Sequence, residues 1–239
     1  MLAATNDIVN NDDDIDNATS KEAKAVNIEK AQSLTRTVTL KVGKMMDLTV
    51  LHVESPTAVY MCPVLGELKE FQKHLYKTAS ELTFDPDFVP EVGSIVLART
   101  KSDGYWYRVR VISCMEDRVT FFCPDFGFME EVKLESVRRI NSRLAETFLN
   151  KKFLSCRCVL REWRDGRTSP TEVETEAIKR IVKISDKTVK VMVVEKRDGY
   201  YVVDIPGVDK MKLAKVGEME EEVARIRKDL GRMRVHSDV

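Results

Sequence analysis

Residues 93–128 read GSIVLARTKSDGYWYRVRVISCMEDRVTFFCPDFGF, and this stretch decides the fold. Its apolar residues alternate with polar ones in short runs separated by turn signals, which is typical of strands. Asp103-Gly104 predicts a tight hairpin between the first two runs, because glycine accepts a positive φ without a Cβ clash. About four or five such strands predict a small barrel that ends near Ile140. The predicted strands are Ile95–Arg99, Tyr105–Cys114, Val119–Cys123 and Met129–Val132.

The segment before the barrel begins with period-two alternation and then changes period. Val38–Val42, Leu48–Val53 and Ala58–Cys62 predict three strands. From Leu65 to Leu82, apolar residues recur every three or four positions with charged residues between them, which predicts an amphipathic helix of about 17 residues. Prolines within Asp85–Pro90 exclude its continuation.

The segment after the barrel mixes helices and strands. A short helical stretch, Asn141–Asn150, precedes a predicted strand, Leu154–Leu160. Ser169-Pro170-Thr171-Glu172 predicts a helix start in which Ser169 caps the helix and Glu172 returns the capping bond. The remaining predictions are an apolar helix face of Val173, Ala177, Ile181 and Ile184, two strands (Thr188–Glu195 and Tyr200–Ile205) around an Asp198-Gly199 turn, and a tail helix from about Val216 to Leu230.

Composition indicates a protein with a core and an acidic head. Hydrophobic residues make up 43% of the 239 residues and charged residues 33%, and the net charge is zero. Met1 to Arg36 is polar, lacks aromatic residues and holds a cluster of aspartates, which predicts a disordered acidic tail. This charge distribution argues against a nucleic-acid binder driven by phosphate contacts, since such a protein needs a basic surface.

The five cysteines predict a reducing compartment and no metal site. None has CxxC spacing, and Cys156 and Cys158 share one face of a predicted strand, which favours core thiols over zinc ligands. No apolar run approaches the roughly 18–20 residues of a membrane helix, and Met1–Asn10 lacks the order of a signal peptide. We therefore expect neither a cofactor nor a membrane partner.

Three motifs inside the predicted barrel resemble a Tudor domain. They are Gly93–Ala98, Asp103–Arg108 (Asp-Gly-Tyr-Trp-Tyr-Arg) and Val119–Gly127, in the family's order and spacing. The flanking segments, including Val50–Pro56, are similar to the extended Tudor architecture of germline small-RNA (Piwi) pathway proteins. This resemblance implies a mainly β fold with α-helices: a Tudor β-barrel plus a split OB-like (staphylococcal-nuclease-like) domain, joined by a long helix. The implied organisation is a tail at 1–36, the OB-like domain at 37–64 and 141–213, the linker helix at 65–87, the Tudor barrel at 88–140, and a C-terminal helix and tail at 214–239.

The resemblance also implies a peptide site, because the family's barrel holds a symmetrically dimethylated arginine in a cage of four aromatic rings and an asparagine. Here the cage positions fall on Thr100 or Lys101, Tyr107, Cys123, Phe126 and Phe128, so only two of the aromatic positions are kept. Such a degenerate cage predicts poor selection for the methylated form and room for unmethylated arginine. The candidate peptide-binding residues are Tyr107, Phe126, Phe128, Cys123, Thr100, Asp125 and Tyr105.

Each candidate residue also has a structural interpretation. Trp106 alternates with Tyr107 and is expected in the core, whereas Tyr107 and Phe126 either bind a ligand or pack the barrel. Phe128 is expected in a loop, where it closes the pocket or meets a partner. Carboxylates, including Asp125, give the barrel rim a negative bias that suits an arginine peptide or is simply solvated; the others are Asp103, Glu130 and Glu131.

The nuclease-like segment does not carry the groups that hydrolysis requires. Val38–Val64 contains only Asp47 and Glu54 as carboxylates and no arginine, whereas the chemistry needs clustered carboxylates for a metal and arginines for phosphate. The three histidines, His52, His74 and His236, are scattered along the chain. The sequence therefore predicts a protein that is not an enzyme.

The function that follows is a scaffold that binds an arginine-containing peptide. The expected partner is an Argonaute-pathway protein or its cofactor with an Arg-rich or RG-type segment, in a cytoplasmic, perinuclear ribonucleoprotein (germ) granule, with RNA bound only indirectly. The alternative is a single-stranded RNA-binding module that uses the Lys187–Lys196 strand and the basic residues Arg108, Arg110, Arg138 and Arg139. A heptad-like seam in the tail helix favours either packing on its own domain or self-association.

Overall fold

The computed structural model describes residues 37–166, 169–182, 188–206, 208 and 225. These residues form ten strands in two five-stranded arrangements, together with three α-helices. The predicted acidic tail at 1–36 lies outside the described residues, as does the predicted tail helix apart from Arg225. No described helix combines the length and apolar character needed to cross a membrane.

The first arrangement, called here the split barrel, is a closed barrel assembled from both ends of the described chain. Its strand order is β1-β2-β8-β10-β9, with β9 pairing back to β1 and with β8 and β10 parallel. Its strands are β1 (Met45–Ser55), β2 (Ala58–Cys62), β8 (Cys156–Leu160), β9 (Thr188–Arg197) and β10 (Tyr200–Asp204).

The second arrangement, called here the inserted sheet, is built from consecutive strands between β2 and β8. Its order is β6-β5-β4-β3-β7, and the Asp103-Gly104 turn joins β3 to β4 as predicted, with Gly104 at φ 72°. Its strands are β3 (Ile95–Arg99), β4 (Trp106–Met115), β5 (Arg118–Cys123), β6 (Phe128–Lys133) and β7 (Val137–Arg138). The mainly β fold class with a second sheet inserted in a barrel is therefore confirmed.

Helix α1 (Leu65–Ser80) joins the two arrangements. Its apolar residues recur at three- and four-residue spacing and form one buried stripe: Leu68, Phe71, Leu75 and Ala79. Gln72 donates from Nε2 to the carbonyl of Trp106 at 2.5 Å, so the helix is also hydrogen-bonded to β4. Trp106 packs in the core cluster that contains α1, whereas Tyr107 packs in the interior of the inserted sheet. The predicted opposite facing of these two residues is confirmed.

A buried arginine ties the inserted sheet to the chain that returns to the split barrel. Arg108 on β4 donates to Asp125 from Nε at 2.9 Å and from Nη2 at 2.8 Å. Its remaining N–H groups reach the carbonyls of Phe148, Lys151 and Lys152, so all five guanidinium donors are used. The Arg108 Cζ also lies 4.6 Å from the ring centroids of both Phe71 and Phe153.

This geometry corrects two predictions. Asp125 is buried, and its Oδ1 also accepts the N–H of Leu154 at 2.9 Å, so it does not lie on the barrel rim. Arg108 is buried and fully hydrogen-bonded, so it is not available to RNA phosphates. The sequence pattern missed both because the partners come from distant parts of the chain.

Three predictions about local structure are wrong. Val38–Val42 is not a strand, because Thr37 makes only an isolated bridge to Phe153, although Val38 and Leu40 are buried. Phe128 begins β6 instead of lying in a loop. Helix α2 (Ser142–Phe148) matches its prediction, and the Asn141 side chain caps it by accepting the Leu144 N–H at 3.1 Å.

The start of helix α3 (Glu172–Val182) is the third correction. Thr171, and not Ser169, forms the capping box: its Oγ1 accepts the Glu174 N–H at 3.2 Å, and the Glu174 carboxylate accepts the Thr171 N–H at 2.8 Å. Val173 and Ile181 are exposed, while Ala177, Ile178 and Val182 are buried, so the apolar face is rotated by about one residue. Ile184 lies outside the described residues.

Candidate functional site

A groove of about 690 Å³ lies where α1, β1 and the β3–β4 hairpin meet. Its helix wall consists of Leu65, Leu68, Lys69, Gln72, Lys73 and Tyr76. Its sheet wall consists of Asp103, Tyr105, Tyr107 and Phe126. The β1 residues Thr49, Val50 and Leu51 complete the lining. We call this space the groove, and it is the candidate binding site.

Three aromatic rings pack on one another at the sheet wall. The Tyr107 ring meets Phe126 and Phe128 edge to face, with centroids 5.2 Å apart and interplanar angles of 86° and 87°. Phe126 and Phe128 are themselves 6.4 Å apart. The half-buried Phe128 ring therefore lies behind Tyr107 and packs against the interior of the inserted sheet. Because these rings pack edge to face on one another, they do not form parallel walls around a ligand.

Asp103 is the carboxylate of the groove, and the hairpin holds it in place. Its oxygens accept hydrogen bonds from the Thr100 hydroxyl, from the Tyr105 N–H at 2.9 Å and from the Tyr107 hydroxyl at 2.6 Å. Burial opposes ionisation, but these hydrogen bonds together hold the pKa of Asp103 below its ordinary value. Burial and the bond to Asp103 raise the pKa of Tyr107, so the Tyr107 hydroxyl stays a donor.

Two further carboxylates, Glu130 and Glu131 on β6, have partners outside the groove. Glu130 accepts the N–H groups of Lys101 and Ser102 at 2.6 and 3.3 Å, and the Ser102 hydroxyl at 3.0 Å. Glu131 pairs with Arg118 at 2.8 Å on the surface. The predicted carboxylate rim is therefore corrected: of its four members, only Asp103 lines the groove.

Of the seven predicted peptide-binding residues, the structure brings three to the groove. Tyr105, Tyr107 and Phe126 line it, and Phe128 stands behind Tyr107. Thr100 and Cys123 are buried, and neither lines the groove, which corrects their placement. Cys123 ends β5 with its side chain inside the sheet, where burial raises the pKa of its thiol well above the ordinary value.

Sequence reasoning missed Tyr76, which projects from α1 to meet Tyr105. Their ring centroids are 5.2 Å apart at an interplanar angle of 50°, and the residues remain 40% and 51% exposed. Tyr76 lies on the polar side of the predicted helix, and a large aromatic residue in that position was the available signal. Lys69 and Lys73 were missed for a simpler reason: lysines on an exposed helix face carry no positional signal.

The basic residues of the RNA alternative have other contacts. Arg138 donates to the carbonyl of Leu82 at 3.1 Å and lies 5.1 Å from the Trp106 ring centroid. Arg139 lies 4.6 Å from the Phe88 ring centroid and 3.8 Å from Asp85. Lys187 lies outside the described residues. Among the described residues first named for RNA, Arg108 is therefore buried and Arg138 is hydrogen-bonded to the protein, whereas Arg139 remains exposed.

Four of the five cysteines are buried, and Cys114 is partly exposed. Cys156 and Cys158 are buried with their sulfurs 4.0 Å apart, and burial raises the pKa of Cys62 to about 11. Within the described ranges, no three His, Cys, Asp or Glu side chains come together as a metal site would require.

The amino-acid sequence of this chain is similar to those of known Tudor domain proteins. The Tudor domain family model matches residues 40–162. Tudor domain-containing protein 1 of Danio rerio is 26% identical over 174 residues, which cover 70% of this chain and 14% of the relative. The human protein of the same name is 29% identical over 113 residues, which cover 45% of this chain and 10% of the relative. The chain thus spans a small part of these relatives' length.

Solved structures show the same architecture. The human TDRD1 extended Tudor domain, in complex with a symmetrically dimethylated peptide, superposes with a TM-score of 0.62 at 25% identity, over 74% of this chain and 86% of that one. The mouse TDRD1 extended Tudor domain, in complex with a dimethylarginine-containing MILI peptide, gives 0.61 at 22% identity, over 71% and 86%. The Drosophila melanogaster Papi extended Tudor domain gives 0.56 at 19% identity, over 70% and 91%.

Proposed function

Because the chain belongs to the Tudor domain family, we propose that it is a non-catalytic adaptor whose groove binds an arginine-containing peptide of a partner protein. The observation that carries this proposal is the sheet wall, where Tyr105, Tyr107 and Phe126 surround the ionised Asp103. A guanidinium gains about 0.5–2 kcal/mol from a well-placed ring face, and a carboxylate adds a charge-assisted hydrogen bond. The human TDRD1 domain, solved with a symmetrically dimethylated peptide, supports this class of ligand.

The arginine of this ligand need not be methylated. Phe128 packs against Tyr107 at 5.2 Å and so takes up one side of the ring that a cage would present to methyl groups. Cys123 and Thr100 are buried and supply no further ring. Methylation removes N–H groups of the arginine that could donate hydrogen bonds to Asp103. Without surrounding rings, the added methyl groups make few contacts that would offset this loss.

We expect the full chain to bind unmodified and symmetrically dimethylated versions of one arginine peptide within about threefold of each other, equivalent to less than 1 kcal/mol. Isothermal titration calorimetry on the matched pair measures this. Tyr105→Ala should weaken both peptides, whereas Met115→Ala, at an exposed site on β4, should weaken neither. A preference of about tenfold or more for the dimethylated peptide would show that a working cage exists. Tyr107 is a poorer probe, because it is buried in the sheet and its truncation also lowers stability.

The partner and its location are part of the same proposal. MILI and Aubergine peptides, bound in the solved mouse TDRD1 and Tudor complexes, support an Argonaute-pathway protein as the partner. A cytoplasmic, perinuclear germ granule and self-association through the C-terminal segment remain proposals of the same kind, which granule imaging and light scattering on the purified chain would test.

Single-stranded RNA binding is the second candidate, and one observation favours it. On the outside of the split barrel, the exposed Arg157 on β8 lies with its Cζ 5.9 Å from the Tyr200 ring centroid. Aromatic rings and arginine planes in one row can stack bases. If this surface binds an oligouridine probe, affinity should fall steeply between about 50 and 200 mM salt and weaken in Arg157→Ala. Binding that is insensitive to salt, or unchanged in the variant, would contradict this candidate.

A further inference from the structure

The two walls of the groove carry opposite charge. On the helix wall, Lys69, Gln72, Lys73 and Tyr76 follow one another at spacings of three, one and three residues, which makes a single stripe along α1. Both lysines are exposed. Gln72 donates a hydrogen bond to the Trp106 carbonyl, and this bond orients the stripe toward the inserted sheet. On the facing wall, Asp103 is the carboxylate among the described lining residues.

Asp103 retains room for a ligand. An ionised carboxylate has about four acceptor positions, and the hairpin uses three of them, two on Oδ1 and one on Oδ2. The Tyr76 and Tyr105 rings flank this end of the groove and remain partly exposed. These two rings contact each other, so an arginine at this end of the groove packs on their exposed faces and reaches the free acceptor position on Oδ2.

The exposed Lys73 on the opposite wall favours an anionic group on the ligand. A peptide that brings only arginines places a cation beside Lys73, whereas a glutamate or aspartate facing the helix removes that repulsion and gains an ion pair. In an extended peptide, consecutive side chains point to opposite sides. Side chains that reach opposite walls of one groove therefore stand an odd number of residues apart.

From this geometry we propose that the groove selects peptides in which an arginine, held by Asp103 with Tyr76 and Tyr105, stands one or three residues from a glutamate or aspartate, held by Lys73. This inference rests on the proposed function, because it takes arginine-peptide binding as given and adds the second side chain. It identifies the partner as a segment of mixed charge, in contrast to a segment that carries only positive charge.

The test uses the full chain and a set of four labelled peptides derived from one parent sequence. In one peptide, arginine and glutamate are adjacent; in a second, one residue separates them; in a third, glutamine replaces the glutamate; in a fourth, alanine replaces the arginine. We expect the adjacent peptide to bind about fivefold more tightly than the second or the third peptide. This difference corresponds to the free energy that one partly exposed ion pair contributes. The fourth peptide should bind least.

Charge exchange provides the decisive comparison. Lys73→Glu should lose affinity for the adjacent Arg–Glu peptide by about fivefold or more and regain it when lysine replaces that glutamate in the peptide. Lys77→Glu is the matched control, since Lys77 is exposed on the same helix but does not line the groove. It should change neither affinity.

The outcomes separate the two proposals. Equal affinity for the adjacent, separated and glutamine peptides, with no response to Lys73→Glu, would overturn the mixed-charge inference and leave arginine binding intact. Equal affinity for the arginine and alanine peptides would overturn the proposed function itself. An equal response to Lys73→Glu and Lys77→Glu would show an effect of net charge alone and would also overturn the inference.

Discussion

Arg108→Ala is expected to lower the free energy of unfolding by about 3–5 kcal/mol, the cost of removing one partner from a buried ion pair. The side chains of Arg108 and Asp125 are 1% and 3% exposed, so the variant leaves a buried carboxylate without its counter-charge. It also leaves the carbonyls of Phe148, Lys151 and Lys152 without this donor. Urea denaturation followed by tryptophan fluorescence measures the change.

The surface pair Arg118–Glu131 is the matched control. Its N–O distance is also 2.8 Å, but its side chains are 50% and 48% exposed, so solvent screens the attraction. Arg118→Ala should therefore cost less than about 1 kcal/mol. If Arg108→Ala were as mild as Arg118→Ala, Arg108 would not be the tie between the inserted sheet and the residues that return to the split barrel. Arg108→Lys should also be destabilising, because an ammonium group cannot replace five donors in a planar fork.

Gly127→Ala is expected to lower the free energy of unfolding by about 2–5 kcal/mol, from backbone strain and steric overlap together. Gly127 has a φ of 88°, which a residue with a Cβ adopts at a cost. An alanine Cβ there would also lie 1.9 Å from Cγ of Tyr60, on β2 of the split barrel. The turn after β5 therefore approaches the split barrel so closely that only glycine fits.

Gly104→Ala separates the two causes. Gly104 has a similar φ of 72°, but its nearest neighbour would be the Arg99 Nη2 atom at 3.8 Å, so this variant measures backbone strain alone, about 1–2 kcal/mol. In a Tyr60→Gly background, which removes the Cγ, Cδ2 and Cβ atoms of Tyr60 that the new Cβ would meet, the cost of Gly127→Ala should fall to that of Gly104→Ala. An unchanged cost in that background would show that the contact with Tyr60 is not the reason for glycine. Chemical denaturation of the four variants gives the cycle.

The order of the elements could be predicted because its signals are local. Period-two alternation in β3 to β6, three- and four-residue spacing in α1, and the glycine turns at Gly104 and Gly199 each follow from the conformation of a few neighbouring residues. Helix α3 shows the limit of local signals. Ser169-x-x-Glu172 and Thr171-x-x-Glu174 both fit a capping box, and the choice between them rotates the apolar face.

The groove depended on tertiary structure, because its walls are far apart in the chain. The sequence identified Tyr105, Tyr107 and Phe126, whose motif is local, but a motif does not report which side chains are already occupied. Asp125 is next to Phe126 in sequence, yet it is taken by Arg108, while Asp103 is open to the groove. Burial and hydrogen bonding between distant segments thus decided which of the charged residues can meet a ligand. By itself the sequence determined a Tudor-type fold with a degenerate ring motif. The packing of α1 against the hairpin decided that Tyr76 and Lys73 face that motif, because these residues are distant in sequence and only the folded chain brings them close to it.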